Sequence, residues 1–477
     1  MGREISDSRF SAEDFAAFRE RLCTETDLLG RWFQEEGFSR THGVGGFELE
    51  AWLVDERQRP APINDAYLRR LDNPLVVPEL ARFNVELNGA PESLGGDALS
   101  RLHRSLEQIW QTCTAAAGEF DAGLVMIGIL PTLEECQLTP EYMSALERYR
   151  ALNEQVLLQR RGRALRLEIH GREQLKSLHR DVMLESAATS FQIHLQVGLS
   201  HAVRCFNAAH IASAPLVAVS ANSPYLFGRD LWDETRIPLF EQAVEVGGYE
   251  AAAYGPTRRV TFGTGYARES LFELFVENRE HYPPLLPACY SEPPERLSHL
   301  RLHNGTIWRW NRPLVGFDDD GTPHLRIEHR VVPGGPSVVD EIANAAFFFG
   351  LVSFLSRQQT PPELALPFGQ ARDNFYAAAR DGLDAQVVWL GGRRLRLQRL
   401  LGERLLPMAR RGLELLDLDP GDIDAYLEVI ATRVHNACNG AAWQRAFVAR
   451  HGRDMAALTA AYRQRQDSGT PVHEWTL

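Results

Sequence analysis

Three stretches of this chain alternate residue by residue between apolar side chains and acids, amides, imidazole or guanidinium. In Phe47-Glu48-Leu49-Glu50-Ala51-Trp52 the two carboxylates share one parity. In Phe191-Gln192-Ile193-His194-Leu195-Gln196-Val197 the shared set is Gln192, His194 and Gln196. In Leu325-Arg326-Ile327-Glu328-His329-Arg330 it is Arg326, Glu328 and Arg330. A period of two is that of a β-strand, whose alternate side chains lie on one face about 6–7 Å apart. A sheet of such strands has one greasy face to bury. Its other face must stay wet or bind ions. That polar face suits polyphosphate and divalent metal.

Clean alternation predicts an α+β fold with an antiparallel or mixed sheet and helices packed on one face, because central strands of doubly wound parallel sheets read as continuous apolar runs. Residues 11–36 read as an amphipathic helix capped by Ser11, with Glu13 and Asp14 in its first turn. Gly43 to Gly46 reads as a turn into the first strand. Further helices are expected over about 97–117, 140–160 and 206–219, and strands over 303–312 and 324–332, joined by a turn at Asp318 to Gly321. The proline-bearing stretch from Glu280 to Glu295 reads as a long loop, a lid or substrate-binding element. The chain is divided into a catalytic core over 1–355 and a mostly helical lobe over 356–477 with a loose polar tail after Asp467.

At 477 residues, with 44% hydrophobic and 24% charged residues, the chain has the composition of a globular protein. Its net charge of -12 argues against nucleic acid as a partner. Six scattered cysteines without a CxxC pair fit a reducing compartment and offer neither a zinc site nor a disulfide framework. The start, Met1-Gly2-Arg3-Glu4-Ile5-Ser6, lacks the apolar run of a signal peptide but matches the loose myristoylation pattern. The most apolar stretch, Ile342 to Leu355, reads as interrupted and too short to span a membrane. A cytoplasmic protein acting on small molecules is expected, with no membrane partner and a homo-oligomer left open.

Glu48 and Glu50, with Glu86 and Glu328 from other segments, could supply oxygen ligands to Mg²⁺; His194 would add a nitrogen that suits Mn²⁺ better. Arg326 and Arg330 flank Glu328 and suit phosphate oxygens. Each motif also has an ordinary reading: a solvated strand face, a hydrogen-bonded structural histidine, a surface ion-pair ladder, a helix-surface acid at Glu79. Their recurrence with one polarity favours a shared site. No G-x-S-x-G elbow, HExxH, P-loop or G-x-G-x-x-G motif competes with it.

Several ordered blocks between about residues 44 and 355 resemble the carboxylate–amine ligases of the glutamate–cysteine ligase type, which share the glutamine synthetase catalytic fold. Gly46-Phe47-Glu48-Leu49-Glu50 is similar to the family's acidic strand, Glu79 and Glu86 to its second acidic segment, and Phe191 to Gly198 to its histidine strand. Leu216 to Gly228, Asn304 to Pro313 and Arg326 to Arg330 resemble its Ser-Pro block, its tryptophan block and its last polar strand. There are departures. Gln196 stands where many relatives carry a second histidine, Asn88 lies where a threonine is usual, and Arg309 and Asn311 replace an aromatic and an acid.

The resemblance implies ATP-dependent amide formation through an acyl phosphate, joining an amino acid to an amine, with glutamate and cysteine as one option. It implies metal ligation by Glu48, Glu50, Glu79, Glu86, His194 and Glu328, with Arg330, Glu328 and Glu50 in the chemistry. Gln192, Arg326 and Arg330 would meet the nucleotide, and Arg236, Trp308 and Arg312 the substrate. Two other functions are weighed: phosphoryl transfer to a guanidino group, and a nucleotide-binding protein of the same fold without turnover.

Overall fold

The computed structural model describes residues 4–5, 7–246 and 258–477. Most of the acylation pattern, residues 1–3 and 6, lies outside them. Six strands form the spine of one sheet: β1 (Val44–Val54), β2 (Val76–Pro78), β3 (Asn84–Asn88), β4 (Ser190–Val197), β5 (Asn311–Phe317) and β6 (Pro323–Pro333). Their order is β5-β6-β4-β1-β3-β2, and every neighbouring pair is antiparallel. The architecture is α+β around an antiparallel sheet.

Helices α1 (Ala12–Gln34), α2 (Ala98–Gly118), α3 (Ala202–Ser220), α4 (Arg236–Ala243), α5 (Ser298–Gly305) and α6 (Val338–Ser356) frame this sheet. Its apolar parity (Phe47, Leu49, Phe191, Ile193, Leu195, Ile327) joins one core with Leu102 and Leu106 of α2, Phe206 of α3 and Phe347 to Phe349 of α6. Burying each such side chain stabilises the fold by about 1.5–3 kcal/mol. That drive fixes which parity faces inward and leaves Glu48, Glu50, Glu86, His194 and Glu328 together on the other face. Ser11 caps α1 in a full capping box with Asp14, as its spacing predicts.

Five sequence expectations need correction. Gly45 and Gly46 lie inside β1 rather than in a turn; a Cβ at Gly45 would come within 2.8 Å of Phe349, so the glycine lets α6 approach the strand. Of the strand expected over 303–312, residues 303–305 instead end the helix Ser298–Gly305, whose start is satisfied by Glu25 of α1 accepting from the His299 and Leu300 amides, each at 2.8 Å. A hairpin of Leu165–His170 with Gln174–His179 fills a stretch given no element. The tail is docked: Val472 and Trp475 are buried against Trp443 and Tyr462, and the Val472 amide donates to Asp340 at 3.0 Å. Finally, α6 at 19 residues is long and apolar enough to cross a membrane, as is the stretch Leu199–Ser220, but 89% and 83% of their apolar windows are buried inside the protein. Asp340 and Glu341 in the first turn of α6 are themselves buried, with Asp340 paired to Arg433 at 2.6 Å, as suits a core helix.

The helices Phe368–Asp381 and Leu406–Glu414, which follow residue 356, pack on α3 and α6 and share their core. The backbones of Gly350 and Gly412 meet so closely that a Cβ at Gly412 would collide with the Gly350 carbonyl.

Candidate metal and substrate site

Strand register sets out the polar face in rows. Arg312, Glu328, His194 and Gly46 stand opposite one another across β5, β6, β4 and β1. Along β1, Glu48 faces Gln192 and Asn88, and two residues on Glu50 faces Glu86, which in turn faces Val77. Pairs directly opposed in a sheet have Cβ atoms about 4.5–5.5 Å apart, so acids far apart in sequence become neighbours.

The six residues expected to hold metal fall into two adjoining trios. Glu48, His194 and Glu328 offer ligand atoms within 4.8 Å of one another, and so do Glu50, Glu79 and Glu86. In the first trio His194 Nε2 lies 3.4 Å from Glu48 Oε1 and 4.0 Å from Glu328 Oε1. Neither His194 ring nitrogen has a hydrogen-bond partner among the described residues, although the residue is 6% exposed. Burial holds the imidazole below its ordinary pKa against the pull of Glu48, which favours the form with a free lone pair. A buried lone pair ringed by carboxylates fits a divalent cation.

Electrostatics divide the trios. Burial pushes the Glu328 carboxyl up, but Arg312, Arg330 and His194 outweigh it and hold the group well below the usual range. Glu48 is likewise buried, yet His194 draws it below its ordinary value. The second trio goes the other way. Glu50 is pushed up to about 7 by burial and Glu79, against the pull of Arg330 and the Ser190 amide. Glu79 is raised chiefly by burial, and Glu86 well above normal by burial, Glu48 and Glu79. Carboxyls raised in this way favour their protonated forms, and a cation binding among them would displace protons.

The arginines are placed by the fold. A β-bulge between His329 and Val332 redirects Arg330, whose amide donates to Trp310 O at 2.9 Å. Its Nη1 donates to Gln192 Oε1 and, at 3.3 Å, to Glu328 Oε2. Gln192 in turn donates to Glu50 Oε1 at 3.0 Å, so it ties Glu50 to Arg330. Arg236 opens α4 almost fully buried. Its Nε donates to Glu234 at 3.2 Å and its Nη2 to Val331 O at 2.6 Å, with its guanidinium 5.3 Å over the Trp310 ring. Arg326 lies further along the same face, its Nε buried and without a partner among the described residues.

Arg312 and Trp308, expected to meet the substrate, make contacts with the protein itself. Arg312 is turned onto Glu328 and onto the Asn304 and Gly305 carbonyls, at 3.3 and 3.2 Å, and so holds a candidate ligand in place. Trp308 stacks edge-on behind Phe240 at 6.2 Å. Beside the Glu50 trio opens a cavity of about 50 Å³, lined by Glu50, Glu79, Arg236, Arg330 and Phe240. It is also lined by Asn84 and Glu185, which sequence reasoning passed over. Asn84 shares the parity of Glu86 and Asn88, a signal that was open to reading; Glu185 sits on the 3-10 turn Met183–Ala187, where no periodicity marks it.

The glutamate–cysteine ligase of Francisella tularensis, solved in complex with AMP, superposes with a TM-score of 0.53 at 11% identity, covering 90% of both chains. A bifunctional glutathione synthetase from Pasteurella multocida gives 0.50 at 12% identity; 94% of this chain covers 55% of that one. At such identities the likeness speaks to the fold. No curated protein sequence matches. The profile of glutamate–cysteine ligase family 2, in contrast, matches residues 44–469. That span takes in both trios and most of the described chain, and by it this protein belongs to glutamate–cysteine ligase family 2.

Proposed function

We propose that this chain is an ATP-dependent carboxylate–amine ligase with a glutamine synthetase-like catalytic fold, making an amide through an acyl phosphate. The observation that carries the reading is the pair of three-ligand clusters side by side on one sheet face, with Arg330 beside them. Mg²⁺, or Mn²⁺ at the imidazole-bearing trio, would neutralise phosphate charge when bound. Glu48, His194 and Glu328 would hold one ion and Glu50, Glu79 and Glu86 another.

The chain's own residues supply the rest. A substrate carboxylate oxygen attacks the terminal phosphorus of ATP and ADP leaves; the amine nitrogen then attacks the acyl carbon, loses a proton, and phosphate leaves. Arg330 offers a fixed guanidinium to the transferring phosphoryl group, and Gln192 keeps it in place. Arg236 has its Nε and one Nη engaged by the protein, and its Nη1 is the donor for a substrate carboxylate. Arg312 keeps Glu328 ionised, and Arg326 is the outer contact for nucleotide phosphates. Glutamate and cysteine are the first pair to try, and the AMP of the Francisella relative accords with a nucleotide substrate.

The test is ADP release with ATP and Mg²⁺ across pairs of amino acids, with products identified by mass. ADP release that depends on an amine, with an amide product, is expected, and EDTA, Glu50→Ala or Glu328→Ala should abolish it in folded protein. A phosphorylated guanidino product would shift the assignment to phosphotransferase, and no turnover with any pair would end the ligase reading.

A further inference from the structure

The cavity beside the Glu50 trio contains polar groups that no partner among the described residues satisfies. Asn84 is 2% exposed, yet neither its Oδ1 nor its Nδ2 has a partner among the described residues. Glu185 presents a buried Oε2 that is also unpartnered there. Both line the same cavity, from different elements: Asn84 opens β3, and Glu185 sits on the turn leading to β4. Native proteins rarely retain buried polar atoms without partners, since each costs its full desolvation. Two in one cavity, reached from separate parts of the chain, point to a ligand that completes them.

The chemistry of that ligand follows from the groups left over. Burial and Glu79 push the Glu185 carboxyl up to about 8, so it becomes a pure acceptor only when a cationic group meets it, whereas an amide can accept and donate. In the same cavity Arg236 and Arg330 can only donate. Arg330 stands on β6 and Asn84 on β3, three strand spacings apart, about 14 Å at the backbone. A ligand meeting both ends needs an anionic group for the arginines and a cationic donor for the carboxyl. A carboxylate and an ammonium on the same or adjoining substrates meet that demand.

We infer that Glu185, assisted by Asn84, receives an ammonium group of an amino-acid substrate in this cavity; the inference rests on the ligase reading for the nature of the site. The ammonium has two sources, the α-ammonium of the molecule whose carboxylate is activated or the amine that attacks it. Both present the same group to Glu185.

The test is calorimetric titration of the twenty amino acids, and of the desamino acid matching each binder, into protein holding Mg²⁺ and a non-hydrolysable ATP analogue. Wild type should bind at least one amino acid roughly 10- to 100-fold tighter than its desamino counterpart, the range of a charge-assisted contact. Glu185→Gln should erase that preference. It should leave the Tm of the ligand-free protein unchanged or higher, because burial already disfavours the ionised carboxyl and its Oε2 has no partner among the described residues. Asn84→Leu, close in size, should weaken binding and likewise leave the free protein no less stable. An amino acid that supports ADP release alone carries the donor's ammonium; one that binds only after the donor is present carries the attacking amine. Loss of preference in Glu185→Gln for either upholds the assignment. A wild type with no preference for the ammonium, or variants that retain it, overturns it. A wild type that shows the preference but never consumes ATP would sink the ligase reading while upholding the ammonium site.

Discussion

Arg312 grips Glu328 with two nitrogens, Nε on Oε2 at 2.8 Å and Nη2 on Oε1 at 2.9 Å, across a directly opposed pair on β5 and β6. The fork matches the carboxylate plane and leaves Glu328 ionised beside His194. Breaking a buried pair from one side leaves a bare charge, which costs about 3–5 kcal/mol. Arg312→Ala should therefore lower stability by that order in urea melts of the metal-free protein. Saturating Mn²⁺ should recover part of the loss, since a cation at the first trio replaces the missing charge. An unchanged midpoint, or a loss that metal does not relieve, would remove Arg312 from the support of the site.

Glu86 sits in the opposite situation. It is 1% exposed, its carboxyl is raised well above normal by burial, Glu48 and Glu79, and its Oε1 accepts from Asn88 Nδ2 at 2.9 Å. Replacing it with the neutral isostere costs the metal-free protein little. Glu86→Gln should hold or raise the metal-free Tm while it removes most of the Mg²⁺-dependent increase in Tm. A variant that keeps the full increase would mean that Glu86 is no ligand.

The raised carboxyls make stability depend on pH with a definite sign. Burial and Glu79 push the Glu50 carboxyl up to about 7 in the folded protein, above its ordinary value of 4.5. The folded state thus binds its proton more tightly than the unfolded chain does. The associated stability is present below about 4.5 and is lost as pH rises through 7, on the order of 1–3 kcal/mol with Glu79 and Glu86 adding in the same direction. Metal-free protein should melt lower at about pH 8 than at about pH 6, and saturating Mg²⁺ should raise Tm more at the higher value. Equal metal-induced shifts at both values would argue that no proton leaves on binding.

The face that carries the site was legible because period two is a local property, and burial of Phe47, Leu49, Phe191 and Ile193 leaves Glu48, Glu50, Gln192 and His194 only one side to occupy. The division of the six candidate ligands into two trios was not legible. It depends on register: Glu50 opposes Glu86 rather than Glu328, and strand sequences do not state their offsets. The pairing of Arg312 with Glu328 was hidden for the same reason, the partner being 16 residues away across a hairpin. The helix over 298–305 was hidden further still, because the carboxylate that satisfies its first amides belongs to Glu25, 274 residues earlier. Trp475 shows the limit of composition. A polar tail reads as loose, yet one indole with Trp443 at 5.2 Å and Tyr462 at 5.0 Å is enough to dock it.

Arg330 is where geometry makes the sharpest demand on chemistry. Its Nη1 is shared by Gln192 and Glu328, while its Nε is buried without a partner among the described residues and its side chain lines the cavity. One planar group thus anchors to the protein while donors remain for a phosphoryl oxygen. Lysine carries the same charge as a single point on a flexible stem and cannot serve both partners at once. If Arg330 meets charge that develops only during transfer, its loss must appear in turnover rather than in ground-state binding. Arg330→Lys should slow ADP formation by about 10²–10³-fold, the range for a donor aimed at developing charge. The Kd of a non-hydrolysable ATP analogue should stay within about threefold, a shift below 1 kcal/mol. Weakened nucleotide binding with an unchanged rate would recast Arg330 as a simple phosphate anchor. An unchanged rate and unchanged binding would confine it to holding Glu328.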